Sequence, residues 1–117
     1  MRVAGFGFRT SATLGSLQAA LMLAGGAVDA VATVDSKAAG LADLAHHLGV
    51  PVIAVSRAAL TAQDRPGAAR VRALYGTGSV AESAALAAAG AGARLTAVRI
   101  TSPDGLAVAA IAEGQGI

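Results

Sequence analysis

Residues 5 to 12 run Gly5-Phe6-Gly7-Phe8-Arg9-Thr10-Ser11-Ala12. They follow the apolar start Arg2-Val3-Ala4 and precede Leu14, Leu17 and Leu21, which share one helical face. A strand, a glycine-containing turn and a helix opened by Thr10 or Ser11 form an anion-binding corner. Glycine lets the backbone turn tightly and approach a ligand closely. The helix start offers unpaired N–H groups with partial positive charge, and Arg9 adds a full charge. The dinucleotide fingerprint G-x-G-x-x-G needs glycine where this chain has Thr10, so the nucleotide signal is weak. The structural alternative is that Gly5 and Gly7 only shape the turn.

A second corner is Gly76-Thr77-Gly78-Ser79-Val80-Ala81-Glu82. Ser79 and Glu82 have the spacing of a capping box, which predicts a helix from Ser79 and a structural use for Glu82. A third turn, Asp35-Ser36-Lys37, follows a β-branched run; Asp35 could pair with Lys37 across it. In open α/β sheets, ligands bind beyond the carboxyl ends of the strands. The expected rim therefore comprises Gly5, Gly7, Arg9, Thr10, Ser11, Asp35, Lys37, Gly76, Gly78, Ser79 and Glu82. Helix starts and two cations around one rim suit carboxylates or phosphates.

The elements that must position these residues follow from periodicity. Strands are expected at about 2–6, 28–34, 50–55, 94–100 and 106–112. The first helix is expected from Thr10 or Ser11 to about Ala24, stopped by Gly25-Gly26. A second carries Leu41, Leu44, Ala45 and Leu48 and ends at Gly49, ahead of Pro51. Ser56 begins a short helical turn toward Leu60. Residues 61 to 70 form a polar surface loop, and 71 to 75 a short strand or an irregular approach to Gly76. The alanine-rich helix from Ser79 stops near Gly90. Ser102-Pro103-Asp104-Gly105 is a turn joining the last two strands in a hairpin. The tail from Glu113 is expected to fray. Alternation of this kind predicts one three-layer α/β/α domain over residues 1–117, with a mostly parallel sheet and a C-terminal antiparallel hairpin.

Composition narrows the function. Of 117 residues, 55% are hydrophobic but only 3% aromatic, so helices should pack close to the sheet and base-stacking platforms are scarce. The net charge is +2 and the basic residues are dispersed, which argues against nucleic acid and suits a small acidic ligand. The absence of cysteine excludes disulfides and thiolate chemistry and is compatible with a cytoplasmic location. Nineteen uncharged residues separate Arg9 from Asp29, but Ser11, Thr13, Ser16 and Gln18 interrupt the apolar run, which favours a surface helix over a leader or a membrane span. His46 and His47 are adjacent at a helix end; they suit the helix dipole and lack the spacing of metal ligands. No nucleophile–base arrangement is visible, and no metal or cofactor is expected.

The corners taken in order are Gly5 to Ala12, Ala32-Thr33-Val34-Asp35-Ser36-Lys37, Leu41 to Pro51, Gly78-Ser79-Val80-Ala81-Glu82-Ser83-Ala84-Ala85-Leu86 and Ala107 to Ala112. This series resembles the cobalamin-biosynthesis family formed by CobE and the C-terminal domain of CbiG, and the length resembles the stand-alone CobE form. The resemblance implies a single cytoplasmic α/β/α domain that binds a precorrin, a tetrapyrrole rich in carboxylates, as a carrier or as an accessory to lactone opening of the CbiG type. It also implies other corrin-pathway enzymes as partners. The family commonly has Cys and a further basic residue around positions 8 to 10, where this chain has Phe8 and Thr10, and Lys where it has Arg99. The competing expectations are an α/β module for a nucleotide or phosphorylated metabolite, and a partner subunit without a ligand of its own.

Overall fold

The computed structural model describes residues 1–61, 78–90 and 92–115. Strand β1 spans Arg2–Phe8, and Val3, Ala4 and Phe6 within it are fully buried. It is buried on both faces because it is the central strand. Helix α1 (Leu14–Ala24) comes next, then β2 (Ala30–Val34), a 3-10 helix (Asp35–Leu41) and α2 (Ala42–Leu48), into which the 3-10 helix leads. Then come β3 (Val52–Val55), α3 (Arg57–Thr61), α4 (Gly78–Ala89), β4 (Arg94–Thr101) and β5 (Ala107–Glu113).

The sheet order is β3-β2-β1-β5-β4. β1, β2 and β3 pair in parallel, whereas β5 is antiparallel to both β1 and β4. β4 therefore runs with β1, and β5 is the one reversed strand. The hairpin was expected; the structure adds that its second strand lies inside the sheet, beside β1. After β1 the chain builds β2 and β3 on one side, and later returns to build β5 and β4 on the other. The carboxyl end of β1 is thus the point where the winding reverses, the usual position of a ligand crevice.

Two apolar layers cover the sheet. One joins Phe6, Leu17, Leu21, Leu41, Leu44 and Ile111 under α1 and α2. The other joins Val3, Ala32, Val55, Ala85, Leu86 and Ala112 under α4. The second layer is built from alanine and depends on close approach. A Cβ on Gly5 would lie 2.0 Å from the Ala81 carbonyl oxygen and 2.5 Å from the Ala85 nitrogen. The scarcity of large side chains thus becomes a helix lying almost on the backbone of β1.

Several boundaries differ from the expectation for physical reasons. α1 does not start at Thr10 or Ser11. Thr13 is its N-cap, and a reciprocal capping box joins the Ser16 N–H to Thr13 Oγ1 (3.2 Å) and the Thr13 N–H to Ser16 Oγ (3.1 Å). Residues 9 to 12 form a turn instead, closed by the Ala12 N–H on the Arg9 carbonyl. At the other end Gly25, at φ 133°, donates to Leu21 and Met22 as the glycine pair predicted. β3 was expected to be buried; it closes one edge of the sheet, so Ala54 is exposed and Val52 and Ile53 are half-buried. The start of the tail does not fray, because Gly114 exchanges hydrogen bonds with Met1 through both its N–H and its carbonyl. The segments expected as a loop at 61–70 and an approach strand at 71–75 lie outside the described residues beyond Thr61.

Candidate functional site

An open cleft of about 560 Å³ lies at the carboxyl end of β1. Gly7, Phe8, Arg9 and Thr10 form one wall, and Lys37 enters from the 3-10 helix. The opposite wall comes from Arg99 and Thr101 of β4, Gly105 and Leu106 of the hairpin turn, and Val108 of β5. Three cations therefore border a floor containing Phe8, Leu106 and Val108. No carboxylate, histidine or cysteine is among the described lining residues. Such a surface can bind anions by charge and hydrogen-bond donation, and can lie flat against an apolar face.

The local chemistry of β1 explains how the cleft opens. The β1–β2 ladder stops at Gly5 opposite Ala32. Beyond it, the buried Thr33 hydroxyl donates to the Phe6 carbonyl at 2.8 Å. The Lys37 ammonium then donates to the Phe8 carbonyl, and it lies 5.1 Å from the centroid of the Phe8 ring. Side chains thus replace the backbone ladder and let the ends of β1 and β2 part. Gly40 leaves room for the Phe8 ring, since a Cβ there would approach it to 2.7 Å. Lys37 is drawn to Phe8, so the expected pairing of Asp35 with Lys37 is replaced by a contact that fixes the cation at the rim.

The N-terminus of α1 already holds an anion belonging to the protein. Asp104, in the β4–β5 turn, accepts from Ser16 Oγ at 2.6 Å, from Ser102 Oγ, and from the Leu106 N–H at 3.0 Å. Ser16 and Ser102 are both buried. The Ser102 hydroxyl foremost, then that of Ser16 and the Leu106 amide, hold the Asp104 carboxyl below its ordinary value, because all three stabilise the charged form. The Ser16 hydroxyl in the corner expected to take a ligand is thus already bonded to a carboxylate of the protein, and the cleft cations lie beside it.

The sequence-predicted residues fall into distinct places. Gly7, Arg9, Thr10 and Lys37 come together in the cleft. Gly5 does not belong to the rim; it is buried under α4, where its missing side chain permits helix contact. Ser11 and Asp35 are exposed in the rim turns and are not among the lining residues. Glu82 accepts from the Arg99 N–H at 3.3 Å, a link to β4 that its capping spacing did not indicate. Gly78 and Ser79 lie in the first turn of α4, but their side chains, and Gly76, are outside the described residues. Convergence of the Ser79 turn on the cleft therefore has no structural description. Sequence reasoning gave Arg99 no place in the rim and missed Thr101, Leu106 and Val108. The signal available was the hairpin itself, which makes β4 run with β1 and brings its carboxyl end to the same rim. His46 and His47 are exposed at the end of α2. No cluster of three potential metal ligands occurs among the described residues, and no helix among them is long and apolar enough to cross a membrane.

Comparison with known proteins bears on the family and the fold. The family model described as cobalamin synthesis G C-terminus matches residues 2–112. The crystal structure of the cobalamin biosynthesis protein chiG from Agrobacterium tumefaciens is 36% identical, with a TM-score of 0.70 over 98% of this chain and 99% of that one. That of CobE, a protein of the cobalamin biosynthetic pathway, is 31% identical, with a TM-score of 0.71 over 100% of this chain and 92% of that one. A cobalamin biosynthesis protein G homologue from Sulfolobus solfataricus shares the fold at 16% identity and a TM-score of 0.75, this chain matching 37% of its length. No curated protein sequence matches the chain. The chain belongs to the cobalamin-biosynthesis family of CobE and the CbiG C-terminal domain.

Proposed function

We propose that this domain binds a polycarboxylate corrin precursor at the cleft and acts as a carrier of it, or as an accessory to a lactone-opening enzyme. The observation that carries this reading is the set of three cations, Arg9, Lys37 and Arg99, around a floor that includes Phe8, Leu106 and Val108. A tetrapyrrole has the matching chemistry: carboxylates around its edge and a broad apolar face. The cleft is open, so a macrocycle rests on it with part of its surface free for a second enzyme, such as another of the corrin pathway. We place this activity in the cytoplasm; the absence of cysteine is in keeping with that. A phosphorylated ligand on the start of α1 is the weaker reading, because Asp104 holds that position.

Absorbance titration with uroporphyrin, a porphyrin with carboxylates around its whole edge, tests the proposal. A saturable spectral shift is expected, with affinity falling as salt rises. Loss of one charge-assisted contact in Arg9→Ala or Lys37→Ala should weaken binding about 10-fold. Thermal stabilisation by nucleoside phosphates, with no response to uroporphyrin, would reverse the assignment.

A further inference from the structure

We infer that Asp104 is a positioning residue for the cleft: it ties the hairpin turn to α1 and thereby sets where Arg9 stands. This rests on the binding reading above. The chain of contacts is continuous. Ser16 Oγ in the first turn of α1 donates to one carboxylate oxygen of Asp104, at 2.6 Å. The other oxygen accepts the Leu106 N–H at 3.0 Å. The Leu106 carbonyl in turn accepts the Arg9 N–H at 2.9 Å. Ser102, also bonded to Asp104, receives the Ala107 N–H at 3.1 Å and donates its own N–H to the Ala107 carbonyl at 2.7 Å, which fixes the start of β5. Gly105 and Leu106 are cleft wall, and Arg9 is one of its cations.

Ser16 contributes a single hydroxyl proton, and that proton goes to Asp104. The 3.1 Å contact between Thr13 Oγ1 and Ser16 Oγ therefore has Thr13 as donor. The capping box and the latch thus share one directed hydrogen-bond chain, which joins residues 88 positions apart in sequence. Nothing in this chain of contacts requires Asp104 to touch a ligand. Its charge opposes an anionic guest, so its favourable effect is through placement alone.

That opposition makes the test decisive. Simple electrostatics predicts that Asp104→Asn strengthens binding of uroporphyrin, because a negative charge beside the cleft is removed. The latch predicts the reverse: about 5-fold weaker binding, read well below the melting temperature so that both proteins are folded. Ser16→Ala, which leaves the charge in place, should weaken binding in the same direction. In an Arg9→Ala background either change should weaken binding less, because the route through Arg9 is gone and only the Leu106 wall is still affected. Unchanged or tighter binding in Asp104→Asn, or an undiminished loss in the Arg9→Ala background, overturns the inference. Amide exchange in the protein without ligand supplies a separate reading. The Arg9 amide should exchange about 10-fold faster in both latch variants, with buried β2 amides unaffected. Should the wild-type protein fail to bind uroporphyrin, the binding reading falls, and unaltered Arg9 exchange in both latch variants would then overturn the latch as well.

Discussion

Replacing Gly5 with alanine should be among the most damaging single-methyl changes in the chain. The added Cβ would sit 2.0 Å from the Ala81 carbonyl oxygen and 2.5 Å from the Ala85 nitrogen, both backbone atoms of α4. Neither can rotate away, so relief requires α4 to retreat by about 1.4 Å to reach the ordinary contact distance of 3.4 Å. Ala81, Ala84, Ala85, Ala88 and Ala89 are all fully buried on that helix, and each loses dispersion contact as it lifts. Overpacking of this kind costs about 1–3 kcal/mol or more, and the reduced freedom of the unfolded chain returns only about 0.4–1 kcal/mol. Because both clashing atoms are backbone the upper end of that range applies, and we expect a net loss of about 2 kcal/mol and a melting temperature lower by about 8 °C. Gly15→Ala is the matched control. It adds a methyl inside α1 with no neighbour nearer than 3.5 Å, and should stabilise by about 0.5–1 kcal/mol. The assay is thermal and urea unfolding followed by far-UV circular dichroism. A Gly5→Ala protein as stable as wild type would refute the claim that α4 packs directly on β1.

Other outcomes follow from the same contacts. Thr33→Val keeps the shape of a buried side chain but leaves the Phe6 carbonyl without its donor; it should cost about 1–3 kcal/mol in urea unfolding. Gly40→Ala would press a methyl to 2.7 Å of the Phe8 ring, so uroporphyrin affinity should fall more than stability does, as titration and melting run on one sample will show. The Asp104 carboxyl is held below its ordinary value in the folded state. Its contribution is therefore complete above the unfolded carboxyl's pKa and is lost as pH falls through the lowered folded value. The stability gap between wild type and Asp104→Asn should be constant from neutral pH down to about pH 5 and should close below that. A gap that widens toward acid would give the opposite sign and remove the latch hydrogen bonds from the account.

The alternation of elements was legible because its signals are local. The Gly25-Gly26 stop and the Gly49 cap each need only their own few residues, and the hairpin turn declares itself by Pro103 and Gly105. The start of α1 was not legible. Thr10, Ser11, Thr13 and Ser16 can all cap a helix, and the choice goes with a partner, Asp104, from the other end of the chain. Gly5 and Gly7 look alike in sequence, yet one is buried under a helix and the other lines the cleft. Only the position of α4 separates them. Arg99 was obscured by irregular pairing: the register of β4 shifts between Leu95 and Ala97 and again between Ala97 and Ile100, so simple alternation does not say where its side chains end up. Arg9 and Lys37 could be placed at this end of the sheet because each lies within three residues of the end of a strand whose direction the alternation had already fixed.

The most direct measurement is a map of backbone amide shifts as uroporphyrin is added to isotopically labelled protein. The ring current of the porphyrin reports proximity without any substitution. The account predicts the largest shifts at Gly7, Phe8, Thr10, Thr101 and Leu106, saturating together with one affinity. Shifts centred instead on α2, on the β3 edge or on the amino ends of the strands, with those five amides unmoved, would contradict it.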